Sequence, residues 1–267
     1  MECLWYADSP AGAPAQERAL PTGAAHLAFR LSADPIRVFD GAETHDLGFA
    51  VLAGPRDRWH GRDTSAPARS IGVQLRPGVA LLGPMIGLVG RHAPLDAVLP
   101  DLAALRDELA ERSPERALAR VEAALLARVA QAPVAPPAVR YAVRELSKPG
   151  ARVAAVGAET GYSPRRFHAL FVQWVGLAPK VFARLQRFRR AVDLAAAGRA
   201  APWAELARSG GFADQAHLIR EFRAFTGISP REYAPVAGQP HHVPILPIRS
   251  SRGASATLSG CHPGGSR

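Results

Sequence analysis

The feature that most constrains this chain is an internal repeat in its second half. Val153-Ala154-Ala155-Val156-Gly157 through Thr160-Gly161-Tyr162 matches Trp203-Ala204-Glu205-Leu206-Ala207 through Gly210-Gly211-Phe212 at an offset of 50. One inserted residue in the second turn then moves the offset to 51: Phe167 matches Leu218, Phe171 matches Phe222, Gly176 matches Gly227, Pro179 matches Pro230 and Phe182 matches Tyr233. Each copy reads as a helix, a glycine–aromatic turn, a second helix with apolar residues four apart, then glycine and a proline-started helix. That is the layout of a helix-turn-helix, written twice.

The residues left facing out in each second helix have the chemistry of groove reading. In the first copy Ser163 caps and Pro164 opens the helix. Phe167, Leu170 and Phe171 face inward, which leaves Arg165, Arg166, His168 and Gln173 outside. In the second copy Asp214 caps; Leu218, Ile219 and Phe222 are apolar, and Gln215, His217, Arg220 and Arg223 are free. Arginine forks onto guanine, glutamine pairs with adenine, and His or Arg takes phosphate or a base edge. One such face alone is an ordinary solvated surface; two in one basic segment are not. Between the copies, Pro179 to Ala197 has no internal breaker and predicts a helix of roughly 28 Å. Lys180 at its start is a compact charge suited to phosphate. Two recognition helices at its ends could enter successive major grooves, about 34 Å apart on one face of B-DNA.

Charge follows the same division. Residues 1–137 carry 14 basic and 16 acidic side chains, net −2; residues 138–235 carry 16 and 7, net +9; residues 236–267 carry three arginines and no acid, net +3. A strongly basic second half suits a polyanionic partner. The 267 residues fit one large or two ordinary domains. Cys3 and Cys261 sit at opposite ends and make no framework, so a reduced, cytoplasmic chain is expected. Val79 to Gly90 is too short and too interrupted to span a bilayer, and the start lacks a signal peptide's basic and apolar regions.

The first half reads as β-rich. Leu27, Phe29 and Leu31 alternate onto one side, Ile36-Arg37-Val38-Phe39 runs into an Asp40-Gly41 turn, and 49–53 and 71–75 are further short strands. Leu102, Leu105 and Leu109 then have helical spacing, and Ser113-Pro114 restarts a helix with Leu118, Val121, Leu125 and Val129. The expected organisation is α+β. Residues 1–132 form a small β-rich regulatory domain with two helices and 133–137 a proline-stiffened linker. Residues 138–235 form an all-α DNA-binding domain with two helix-turn-helix motifs, and 236–267 a disordered basic tail whose deletion from 239 leaves folding intact.

The stretch Gly161-Tyr162-Ser163-Pro164-Arg165-Arg166-Phe167 through Gly176, with Gly211-Phe212-Ala213-Asp214-Gln215-Ala216-His217-Leu218-Ile219-Arg220-Glu221-Phe222-Arg223 and Gly227-Ile228-Ser229-Pro230-Arg231-Glu232-Tyr233, resembles the AraC/XylS family of bacterial transcription regulators. The resemblance covers about 100 residues. It implies a seven-helix domain reading adjacent major grooves, with Arg165, Arg166, His168 and Ala169 on the first recognition helix and Gln215, Ala216, His217 and Arg220 on the second. Ala169 departs from the polar residue common there, and Gly157 replaces a usual alanine at a cost of about 1 kcal/mol in helix stability. Leu20-Pro21-Thr22-Gly23, Gly72 to Gly78 and Ala93-Pro94-Leu95-Asp96 more loosely resemble the uncharacterised amino-terminal domain of such regulators. Against that domain the chain is expected to begin late.

The expected function is a sequence-specific transcriptional regulator that binds double-stranded DNA, not an enzyme, with no cofactor, no metal and no membrane. Candidate further partners are RNA polymerase, an unidentified small-molecule effector and a second copy of the chain. Two rivals stay open: a nonspecific architectural binder, and a DNA-repair or enzymatic protein using the helical domain only as a DNA-binding module. His26, His45, His60 and His92 read as scattered surface or turn residues, and Trp5, Tyr6, Phe29, Phe39 and Trp59 read as core in preference to an aromatic pocket. No Walker loop, HExxH or GxSxG elbow is present.

Overall fold

The computed structural model describes residues 2–10, 15–40, 43–79, 81, 83–196, 203–236 and 239–245. Its strands are β1 (Cys3–Ser9), β2 (Gln16–Ala19), β3 (His26–Arg30), β4 (Arg37–Asp40), β5 (Glu43–Asp46), β6 (Ala50–Ala53), β7 (His60–Asp63), β8 (Ala68–Gln74), β9 (His92–Pro94) and β10 (His242–Pro244). They make two antiparallel five-stranded sheets, in the orders β1-β8-β3-β6-β9 and β10-β2-β7-β4-β5. Alternation in β3 buries Leu27, Phe29 and, just beyond it, Leu31, as their spacing predicts. These side chains join Leu52, Ile71, Val73 and Leu75 on the face that α1 (Leu95–Val98), α2 (Pro100–Ala103), α3 (Leu105–Ala110) and α4 (Pro114–Gln131) cover.

Ser113 caps α4, its hydroxyl accepting from the Arg116 amide, and Pro114 opens it. The buried stripe of α4 is Ala117, Val121 and Leu125, while Leu126 and Val129 face solvent. The expected membership of Val129 is therefore corrected: its place on the helix falls outside the stripe that meets the sheet. Of the aromatic set, Phe29 and Phe39 are core, Trp5 is exposed, and Trp59 packs against the helical domain.

The helical domain comprises α5 (Pro137–Leu146), α6 (Val153–Glu159), α7 (Pro164–Val175), α8 (Pro179–Ala196), α9 (Trp203–Gly210) and α10 (Gln215–Thr226), followed by a single 3₁₀ turn, Pro230–Glu232. Phe182, Leu185, Phe188 and Val192 run down α8 and are fully buried in a core that takes in Phe171 of the first copy and Phe222 of the second. Leu206, Ala207, Phe212 and Leu218 make a separate cluster on Ala191 of α8. Phe171 meets Phe182, and Phe188 meets Phe222 and Phe225, at ring separations of 5.1–5.6 Å. The glycine at 157 has a packing reason. A Cβ there would stand 3.2 Å from the Phe167 ring, so its absence lets α6 lie close on α7.

The tail reading is corrected at its described residues. β10 pairs with β2, setting Val243 opposite Arg18, and the Ile245 amide donates to the Gln16 carbonyl at 2.8 Å. Val243 is 2% exposed and shares the helical-domain core with Leu20. A strand of three residues is too short to display alternation, and its register comes from β2, more than 200 residues earlier. Arg249, Arg252 and Cys261 lie outside the described residues.

Candidate nucleic-acid interface

Both second helices are built alike. α7 and α10 are each 12 residues long and begin at a side-chain cap. The Ser163 hydroxyl accepts from the Arg166 amide at 3.4 Å, and the Asp214 carboxylate accepts from the His217 amide at 2.6 Å. Each ends at a left-handed glycine, Gly176 (φ +84°) or Gly227 (φ +71°), a conformation an L side chain adopts only under strain. Phe167, Phe171 and Val175 bury one side of α7; Leu218, Phe222 and Phe225 do the same for α10.

The opposite sides are open. Arg165, Arg166, His168, Ala169 and Gln173 are exposed on α7, and Gln215, Ala216, Arg220 and Arg223 on α10. The Arg166 guanidinium lies 5.0 Å over the Tyr162 ring, so the turn aromatic steadies a cation at the helix start. Gln173 stands two turns further along, where its backbone carbonyl is held by Met85 of the first domain. His217 differs from the rest. Its Nδ1 accepts from the Ala213 amide at 3.3 Å, its ring sits edge-on to Phe212, and its Nε2 lies 4.0 Å from Glu221. It is half-buried and holds the turn together.

α8 separates the two motifs. Its 18 residues span about 27 Å. Lys180 is exposed on its first turn. Arg184 on the same helix makes a two-point pair with Glu221, at 2.7 and 2.9 Å, and the carboxylate raises the arginine's pKa further. That fork ties the spacer to α10. Arg231, which the outward faces of the two second helices do not include, is a further basic residue here. It lines a cleft with Gln215 and Arg223, beside Trp203 and Ile219. The repeat held the signal, because Arg231 stands 51 residues after Lys180.

The histidines of the first domain are also corrected. His45 is exposed as expected, but His26, His60 and His92 draw inward from both sheets, and His242 joins them from β10. The His60 and His92 rings are 4.9 Å apart. Burial pushes His92 down to about 3, with Arg56 adding to the shift, and burial pushes His26 down to about 4. Sequence distance hid the cluster, since pairing across two sheets is what assembles it. Among the described residues, no three His, Cys, Asp or Glu side chains are grouped to hold a metal ion. Likewise, no described helix is long and apolar enough to cross a membrane.

Residues 156–235 match the model of a helix-turn-helix domain family. No curated protein matches the chain in sequence. The solved structure of an apo ToxT variant from Vibrio cholerae is 12% identical, covering 86% of this chain and 95% of that one, with a TM-score of 0.50. Wild-type ToxT bound to an unsaturated fatty acid is also 12% identical, covering 86% of this chain and 94% of that one, with a TM-score of 0.48. At such identity the likeness is one of fold: a β-rich first region followed by a helical second region. The doubled caps, the open cationic faces and the family match agree, and residues 156–235 belong to the AraC-type helix-turn-helix domains of DNA-binding transcription regulators.

Proposed function

We propose that the chain is a sequence-specific transcriptional regulator whose α7 and α10 read successive major grooves of one duplex. The observation that carries this reading is the pair of capped helices on either side of α8. Each buries one apolar side and leaves its cationic and amide-bearing side open. Arg165, Arg166, His168 and Gln173 would serve the first groove; Gln215, Arg220 and Arg223 the second. Lys180 and its repeat partner Arg231 would grip phosphate. His217 acts chiefly by holding the turn that presents Gln215.

Residues 1–132 are the regulatory part of this proposal, 133–137 the junction and 138–235 the DNA-binding part. A small-molecule effector would act through the first part. RNA polymerase and a second copy of the chain are the protein partners that the role calls for.

Arg220→Ala and Lys180→Ala separate reading from gripping. Selected and scrambled duplexes, each at two salt concentrations, supply the measurement. Arg220→Ala is expected to cost about 1–3 kcal/mol on the selected site and to relax preference at one base position. Lys180→Ala should weaken both duplexes equally and lower the salt slope by about one phosphate's worth. Equal losses on both duplexes for Arg220→Ala would move that residue to the phosphate class, and loss of preference for the selected site in the wild type would remove the regulator reading.

A further inference from the structure

A helix leaves its last four carbonyls without partners inside itself. In both recognition helices, one of those carbonyls is satisfied by a backbone amide of the first domain. The Met85 amide donates to the Gln173 carbonyl of α7 at 3.0 Å, and the Trp59 amide donates to the Phe225 carbonyl of α10 at 3.1 Å. The adjoining glycine caps are closed in the same way. A Cβ on Gly176 would stand 2.6 Å from the Pro55 ring, and one on Gly227 would stand 2.6 Å from the Trp59 indole nitrogen. Pro55 and Trp59 belong to one short segment, residues 54–59, between β6 and β7.

The donors behave as one piece. The Gly54 amide donates to the Arg91 carbonyl and the Gly90 amide to the Pro55 carbonyl, both at 2.9 Å, which binds residues 54–59 to the turn at 85–91. That turn contains its own short 3₁₀ helix, Ile86–Leu88. Arg56 then carries the block onto the histidine cluster, with its Nη2 3.1 Å from the His92 ring.

We propose that residues 54–59 and 85–91 form a clamp that fixes the distance and angle between α7 and α10, making Pro55, Trp59 and Met85 positioning residues for DNA reading. Their action is through the helix ends; none of them touches DNA. The inference rests on the two-groove reading above. A recognition helix pinned at its C-terminal end turns about that end, so its exposed first turn sweeps furthest when the pin loosens. The clamp therefore governs which separation of two half-sites the chain accepts, and a change in the first domain reaches both helices through it.

Two measurements on the full chain test this, using Pro55→Ala, Trp59→Ala and the milder Trp59→Phe. The first needs no DNA. Because the clamp is one hydrogen-bonded piece, Trp59→Ala should raise amide hydrogen exchange at 222–228, beside Trp59, and also at 170–176, which the 85–91 half of the clamp holds. Faster exchange confined to 222–228 overturns the clamp. The second uses a duplex selected by the wild type from a random pool, and the same duplex with one or two base pairs inserted between its half-sites. The wild type should discriminate against the inserts, and Trp59→Ala and Pro55→Ala should lower that discrimination by about 3- to 10-fold. A merely structural role would weaken all duplexes alike and leave the ratio unchanged, which also overturns the proposal. Wild-type indifference to the inserts, with coupled exchange intact, would defeat the two-groove reading and leave the clamp standing as a tie between helices. If Trp59→Ala fails to fold, Trp59→Phe and Pro55→Ala carry both measurements.

Discussion

The two helix-turn-helix copies share length, caps and apolar spacing, yet they are held by different means. The first copy sits in apolar packing: Phe167 and Phe171 below, with Leu170 half-buried at the position where the second copy has Glu221. The second copy is tied by charge and by chain, through the Arg184–Glu221 fork and through Tyr233, whose hydroxyl donates to the Pro240 carbonyl just before β10. Apolar packing tolerates small sliding, whereas a two-point ion pair and a strand register do not. The second motif accordingly has two ties beyond the clamp that holds the ends of both helices.

Removing the strand tether should have the largest effect. Deletion from residue 239 takes away Val243, its pairing with β2 and the His242 contacts. Loss of one buried valine and several backbone bonds should cost about 3 kcal/mol, read as the shift of a denaturant midpoint. An unchanged midpoint would show that β10 is dispensable.

The fork comes next. Glu221→Leu copies the first motif's residue into the second but strands Arg184, whose side chain is only 32% exposed. A cost of about 2–3 kcal/mol is expected, below that of a fully buried pair because Arg184 keeps some solvent. Adding Arg184→Leu should recover most of it. A double variant as unstable as the single would mean that the second copy needs the charge pair itself.

How these ties form explains what was legible beforehand. The repeat, both caps, the glycine ends and the outward faces of α7 and α10 follow from local rules, where every partner lies within four residues. The Arg184–Glu221 fork crosses 37 residues between two helices. The His60–His92 contact and β10 depend on pairing between distant strands, which no local pattern encodes. The sequence pattern puts His217 on α10 and leaves its side chain free. Its spacing shows which face it starts from, not that Ala213 and Phe212 hold its ring.

Acid should test the tether in a graded way. Burial holds His242 down at about 4, beside Arg62 at 2.9 Å, with Glu17 at 3.4 Å pulling the other way. An unfolded histidine takes its proton near 6.5, so the unfolded chain binds more protons between those values. Stability is thus fully present above about pH 6.5 and falls as the pH drops towards 4. The His242 share of that loss is on the order of 1–2 kcal/mol at pH 5. His242→Gln should flatten the fall in melting temperature between pH 7 and pH 5. An identical slope in both proteins would remove His242 from the account.

The smallest contrast lies in the caps, and it bears on the division between the copies most directly. Ser163 offers a neutral hydroxyl at 3.4 Å; Asp214 offers a carboxylate at 2.6 Å to the same position of its helix. A charged cap also meets the positive end of the helix dipole. Asp214→Ala is therefore expected to cost about 1–2 kcal/mol of stability and Ser163→Ala about 0.5–1. For DNA the order reverses, because a carboxylate at the mouth of a recognition helix repels phosphate while a hydroxyl does not. Asp214→Asn keeps an acceptor on the cap and removes the repulsion. It should bind selected and scrambled duplexes alike more tightly, by roughly twofold to fivefold at low salt, the gain shrinking as salt screens it. A gain confined to the selected duplex would mean instead that the residue at 214 reads a base.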